Sequence, residues 1–209
     1  MKRLGIISTP LAFVLAGSGM LLLRRVETAP GDVYEQIASR GQDWLLAHVI
    51  LLASTVFLVP AALAIRTAIR GRGLGYLGTA MLVVIAPTAI LLAGQYAIDF
   101  ITPTLVDVGG EALVAKDRLG DSALIGTLFY GLPNLVFLAL MILSLAAVWS
   151  GTTSRTRAVL LTINWLAVLL GNLVHPVFQR IAIMLLGVST LPLVTWMWRP
   201  HPSEQEMHH

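Results

Sequence analysis

The chain contains no cysteine, which excludes disulfide bonds, iron–sulfur clusters, cysteine-ligated zinc and thiol catalysis. Charged residues are also scarce, at 12% of the 209 residues, or roughly half their share in an average soluble domain. No basic run interleaved with aromatic residues occurs, so the net charge of +3 does not indicate nucleic-acid binding. Any metal would be held by histidine, carboxylate or other oxygen and nitrogen donors.

Apolar residues are abundant instead, at 56% of the chain with a mean hydropathy of +0.81, an excess that a water-soluble domain could not bury. Long apolar runs bounded by charged residues predict transmembrane helices of about 20 residues. The six predicted spans cover residues 4–23, 44–65, 74–98, 123–149, 158–174 and 181–198. The sequence therefore predicts an all-α, polytopic integral membrane helical bundle in a single domain, residues 1–209.

Two of these spans have alternatives. The first begins with Lys2 and Arg3, as a signal peptide does, but its apolar part is long and Arg24 and Arg25 follow it, which favours a retained helix. Only residues 175–180 separate the last two runs. A single kinked helix would be about 40 residues long, twice what a bilayer needs, so a tight helical hairpin is predicted.

The positive charges predict the orientation. Both termini should be cytoplasmic, and the loops 24–43 and 99–122 should be external. Trp44 should lie where the second span meets the external face of the membrane. We expect a multi-pass protein of a plasma membrane, most simply the bacterial inner membrane. The basic residues assigned to the cytoplasmic side are Lys2, Arg3, Arg66, Arg70, Arg72, Arg155, Arg157 and Arg199. The acidic residues assigned to the external loops are Asp32, Glu35, Asp99, Asp107, Glu111, Asp117 and Asp121.

Both external loops contain helical signals. Asp32 and Glu35 have the spacing of a capping box, which predicts a short helix on the outer surface. In the second loop an amphipathic stretch, 111–119, follows Gly109 and Gly110, and it is either a solvated connector or a lid. The prolines Pro60, Pro87, Pro133 and Pro192 lie within spans and should produce kinks.

Polar residues inside the spans carry the functional argument, because such residues are costly in a membrane. The predicted topology places them in the outer half of the bilayer, where they would line a polar pocket, whereas the cytoplasmic half contributes only Asn164 and scattered serines and threonines. Two histidines from different helices, His48 and His175, are suitable axial ligands for a haem b, and with Asp99 they would form a zinc site with one open position. The predicted pocket residues are His48, Gln95, Asp99, Asn134, Asn172 and His175.

A structural interpretation of the same residues stays open. A histidine near a helix end often bonds to a backbone carbonyl, and His175 precedes a proline at a turn. Asp99 would then face water at the end of its helix or pair with Arg180 across the outer mouth.

Three functions remain from these patterns, and they leave open whether the protein is an enzyme. The first is a redox or sensing protein that binds a haem, a metal ion or a small ligand from the outer side. The second is a non-catalytic subunit or scaffold in a homo- or hetero-oligomeric membrane complex. The third is a small-molecule transporter component, since the size and span number are similar to those of the substrate-binding membrane subunits of vitamin importers. Gly71, Gly73 and Gly75 follow a span and not a strand, which predicts a turn and not a nucleotide-binding loop.

Overall fold

The computed structural model describes residues 2–195, apart from the side chains of residues 2, 3, 119 and 172. Between these limits the chain is helical, with short connections and no strand. The helices are α1 Lys2–Glu27, α2 Val33–Ser39, α3 Gly41–Ala68, α4 Arg72–Phe100, α5 Thr102–Val108, α6 Gly110–Asp121, α7 Ala123–Gly126, α8 Leu135–Trp149, α9 Arg155–Val174, α10 Pro176–Ser189 and α11 Leu191–Thr195. A π-helical turn, Thr127–Gly131, and a 3-10 turn, Leu132–Asn134, join α7 to α8.

Five helical segments in the described part of the chain are long and apolar enough to cross a bilayer, with mean hydropathies of 1.8 to 2.2. They correspond to the first, second, third, fourth and sixth predicted spans, so the membrane-type helical bundle is confirmed. The remaining predicted span, 158–174, falls within the 20-residue helix α9. The five segments are Leu4–Glu27, Gly41–Ala68, Arg72–Val108, Ala123–Trp149 and Pro176–Thr195.

The long helices pack side by side in the order α9, α10, α1, α3, α4 and α8, and α8 also contacts α3. Buried apolar side chains fill the spaces between them. Phe13 of α1, Leu58 of α3 and Leu140 of α8 are at most 1% exposed, which places the core around α1 and α3. A bundle with two central helices results, and α9 lies at its edge.

The two ends of the bundle carry different charged residues. One end, called the acidic pole here, gathers the C-terminal ends of α1 and α4, the N-terminal end of α3, the turn between α9 and α10, and the short helices α2, α5 and α6. It carries all the aspartate and glutamate residues between positions 2 and 195. The other end, the basic pole, contains the start of α1 and the connections from α3 to α4 and from α8 to α9. Its charged residues in the same range are arginines and Lys2.

The turn between α9 and α10 is a tight hairpin, as predicted. His175 alone separates the two helices. Gln179 Nε2 of α10 donates to the carbonyl of Val168 in α9 at 3.0 Å, and Asn164 Nδ2 donates to Ser189 Oγ at 3.2 Å. Because these contacts pair residues on opposite sides of the turn, the two helices run antiparallel, and a single continuous helix is excluded.

The helices are interrupted at two of the four prolines within the predicted spans. The π-helical and 3-10 turns surround Pro133, and Pro192 lies in α11, after the end of α10. By contrast, α3 and α4 continue through Pro60 and Pro87. The irregular segment before α8 contributes directly to the site described next.

Candidate functional site

Trp44 and His48 form the first part of a polar cluster at the acidic pole. The two residues are one helical turn apart on α3, so their rings stack with centroids 4.4 Å apart. His48 is 3% exposed, and its Nδ1 lies 2.8 Å from the Trp44 carbonyl. Since a carbonyl can only accept, Nδ1 carries the proton, and Nε2 of the neutral ring is left as an acceptor.

Asp99, near the C-terminal end of α4, is the second part of the cluster. Trp44 Nε1 donates to its backbone carbonyl at 2.7 Å, which fastens α3 to α4 at this level. The Tyr130 hydroxyl donates to Asp99 Oδ1 at 3.1 Å. Tyr130 lies in the π-helical turn, whose altered rise and rotation direct its side chain differently from that of a regular helix.

Tyr96 and Lys116 complete the surroundings of His48 and Asp99. Tyr96 is 7% exposed, and its ring meets that of His48 edge-on at 6.4 Å. The ammonium group of Lys116, on α6, acts electrostatically on both His48 and Asp99. We call His48, Tyr96, Asp99, Lys116 and Tyr130 the His48–Asp99 cluster. It combines a carboxylate, an imidazole acceptor, two phenols and an amine.

The two loops that were predicted to be external meet at the acidic pole, near this cluster. The capping box predicted for Asp32 and Glu35 is confirmed: the Asp32 carboxylate accepts from the Glu35 N–H at 2.9 Å, and Glu35 Oε2 accepts from the Asp32 N–H at 3.2 Å. It starts α2 and orients Tyr34, whose hydroxyl donates to the Asp117 carboxylate on α6. Burial and the hydrogen bond with Asp117 raise the pKa of Tyr34 to about 12. The loop 102–122 thus contains helices, and a side-chain bond ties α6 to α2.

The other predicted pocket residues lie apart from this cluster or at its margin. Gln95 is half-buried on α4, one turn before Asp99. Asn134 is exposed, and its Nδ2 donates to the Tyr130 carbonyl at 3.0 Å. His175 is exposed at the hairpin turn, where its Nδ1 accepts from the Val177 N–H at 3.2 Å and caps α10. The backbone of Asn172 belongs to α9, and its side chain lies outside the described residues.

The ligand set proposed for zinc is therefore not assembled. Among the residues that the structure describes, no three histidine, aspartate or glutamate side chains form a group that could hold a metal ion. His48 and Asp99 belong to one cluster, whereas the contacts of His175 are with its own hairpin.

The alternative ion pair between Asp99 and Arg180 is wrong. Arg180 Nη2 instead lies 2.7 Å from both carboxylate oxygens of Glu27, at the end of α1. The reason is lateral order in the bundle: α10 packs against α1, and α4 packs against α3 and α8. Asp99 instead accepts a hydrogen bond from Tyr130, which is not among the predicted pocket residues.

Comparison with protein-family models, curated proteins and solved structures found no match for this chain. The class of protein that the fold defines is a helical bundle with several membrane-spanning segments.

Proposed function

We propose that the chain crosses the membrane six times, with α9 as the additional span, and that the acidic pole faces the exterior. Both termini would then be cytoplasmic, in a plasma membrane and most simply a bacterial inner membrane. The distribution of charge supports this orientation, because every charged residue of the basic pole within residues 2–195 is an arginine or a lysine. The antiparallel α9–α10 hairpin supports a sixth span, because α9 has 20 residues, as many as the apolar segment Pro176–Thr195 that follows it.

The absence of cysteine makes a direct test of the topology possible. Single cysteines in place of Glu111, Arg155 and His175 would be labelled on intact cells with a membrane-impermeant maleimide. We expect labelling at positions 111 and 175, and labelling at position 155 only after permeabilisation. If positions 155 and 175 were labelled from the same side, α9 would not cross the membrane. If position 155 alone were labelled on intact cells, the orientation would be the reverse.

We further propose that the His48–Asp99 cluster binds a small ligand that arrives from the exterior, as in a sensing or redox protein. The observation that carries this proposal is a buried histidine, His48, at the level where Trp44 joins α3 to Asp99 of α4. Ionisable side chains within membrane helices are costly unless they are used. His48 offers Nε2 as an acceptor, because its Nδ1 is engaged by Trp44. A carboxylate beside that acceptor suits a cation or a ligand rich in hydrogen-bond donors.

The first experiment tests whether the ligand is a haem or a metal ion. An absorption spectrum and elemental analysis of the detergent-purified protein would detect either one. His48→Ala should remove the signal, and His175→Ala is the matched control, since that histidine caps a helix outside the cluster. Loss in both variants would indicate a haem with two histidine ligands. Colourless, metal-free protein whose melting temperature neither haem nor Zn²⁺ changes would refute the cofactor form.

The second candidate is a non-catalytic subunit of a larger membrane complex. It is favoured by the local bonds of Asn134 and His175, which satisfy backbone groups of their own segments and leave no need for a ligand. This candidate predicts partners that co-purify after chemical crosslinking. It also predicts that His48→Ala and His175→Ala leave the co-purification unchanged.

A further inference from the structure

A groove at the basic pole has no part in the proposed function. It lies between the end of α3 and the start of α4 and has a volume of about 420 Å³. It is independent of the His48–Asp99 cluster, which lies at the opposite ends of the same two helices. We call it the arginine groove. The residues that carry the argument are Arg66, Arg72, Gly75, Tyr76 and Thr79.

Arg66 is held along the surface of α4 by small residues. Its Nε donates to Thr79 Oγ1 at 3.3 Å. A Cβ atom built on Gly78 would come within 2.6 Å of Arg66 Cδ, and one built on Gly75 would lie 3.3 Å from Arg66 Nη2. These glycines therefore provide the space in which the guanidinium lies. Of the three glycines predicted to form a turn, Gly71 precedes α4 and Gly73 and Gly75 lie within it, and only Gly75 borders the arginine.

Within residues 2–195, no carboxylate balances the charge of the arginine groove. All described carboxylates lie at the acidic pole, and neither Arg66 nor Arg72 has a carboxylate partner among residues 2–195. Arg66 is half-buried and Arg72 is exposed. Guanidinium groups bind anions that have several oxygens, because their planar donors can form two parallel hydrogen bonds with them.

The position of the groove at the ends of two helices places it at the level of the membrane surface. It lies where two membrane-spanning segments, Gly41–Ala68 and Arg72–Val108, end and begin. Tyr76, 77% exposed beside the groove, has the amphipathic ring that is enriched at the level of lipid headgroups. A phosphate group at this position would most readily come from a lipid.

We propose that the arginine groove binds the phosphate group of an anionic phospholipid. The guanidinium of Arg66, positioned by Thr79 and the glycines, and that of Arg72 would receive the phosphate oxygens, and Tyr76 would lie against the headgroup and the upper acyl chains. This inference needs only that α3 and α4 cross the membrane, and it holds for either orientation of the bundle.

The test is a titration of the purified full-length protein with phosphatidylglycerol, followed by native mass spectrometry. The double variant Arg66→Gln/Arg72→Gln should bind this lipid roughly 25-fold more weakly, from about fivefold per arginine near a membrane surface. Arg155→Gln/Arg157→Gln is the matched control, because it removes the same charge from the same pole outside the groove. Equal losses in the two double variants would overturn the site.

Further arms of the titration identify the source of the phosphate. Phosphatidylcholine should bind wild-type protein more weakly than phosphatidylglycerol, and inorganic phosphate should not displace the lipid at millimolar concentration. Binding of inorganic phosphate alone would overturn the lipid assignment. If the double variant fails to fold, Arg72→Gln alone serves as the test, since this side chain is exposed at the first turn of α4. An unchanged affinity in that variant would count against the proposal.

Discussion

Replacing Gly17 with alanine should destabilise the bundle, because α10 already touches α1 at this position. A Cβ atom built on Gly17 would come within 2.2 Å of Met184 Cγ, 2.8 Å of Met184 N and 2.9 Å of the Arg180 carbonyl oxygen. Two of these atoms belong to the backbone of α10, which no side-chain rotation can move. The substitution therefore forces the two helices apart.

Two opposing effects determine how much stability the Gly17→Ala variant loses. Alanine favours a helix interior over glycine by about 1 kcal/mol. Overpacking a close contact costs about 1–3 kcal/mol, and backbone contacts belong at the upper end of that range. The net loss should therefore be roughly 1–2 kcal/mol, or a fall in melting temperature of roughly 3–6 °C for a chain of this size.

Gly73→Ala is the matched control. It is the same substitution in a helix of the same chain, and a Cβ atom there would meet nothing within 4 Å. Thermal unfolding in detergent, followed by tryptophan fluorescence, should show a lower melting temperature for Gly17→Ala and an unchanged or higher one for Gly73→Ala. Equal melting temperatures for the two variants would refute the close packing of α1 against α10.

Two further predictions concern the acidic pole. Glu27→Gln should lower the free energy of unfolding by about 1–2 kcal/mol, because Arg180 loses its anionic partner. The loss is not larger because the Glu27 side chain is 43% exposed. Glu111→Gln should change it by less than about 0.5 kcal/mol in the same chemical-unfolding assay. The Tyr34 phenolate should appear near pH 12 in an ultraviolet titration, and Asp117→Asn should shift it toward 10. Because the folded state holds this proton to higher pH, the stabilisation is present below pH 10 and is lost between 10 and 12.

The sequence predicted the ends of the long helices well, because charges, glycines and prolines mark where a helix can leave the membrane. The predicted second and third spans, 44–65 and 74–98, fall within α3 Gly41–Ala68 and α4 Arg72–Phe100. The capping box of Asp32 and Glu35 was equally predictable, since a cap depends on residues three positions apart. Local spacing is sufficient for features of this kind.

The partners within the candidate site were less predictable. Tyr130 reaches Asp99 from a π-helical turn, and a regular helical period does not indicate where such a turn directs a side chain. Trp44 was expected only as an interfacial aromatic, although its position four residues before His48 is a signal for contact between the two rings. Arg180 was assigned to the wrong carboxylate because hydropathy contains no information on which spans are neighbours.

The two proposed sites share α3 and α4, which makes their independence a physical question. His48 and Arg66 lie on α3, and Asp99 and Arg72 lie near opposite ends of the 29-residue α4. At about 1.5 Å per residue, the ends of α4 are roughly 40 Å apart. At this distance two unit charges interact by only about 0.4 kcal/mol at an effective dielectric constant of roughly 20, so charge at one end has little direct effect at the other.

Communication between the sites would therefore require α3 and α4 to move as a pair. Trp44 fastens the two helices at the acidic pole through the Asp99 carbonyl, and Arg66 fastens them at the basic pole through Thr79. A pair joined at both ends resists sliding, and movement of the whole pair would have to break the packing of α3 against α1 and of α4 against α8. Lipid binding at the arginine groove should accordingly stabilise the bundle without changing the affinity of the His48–Asp99 cluster.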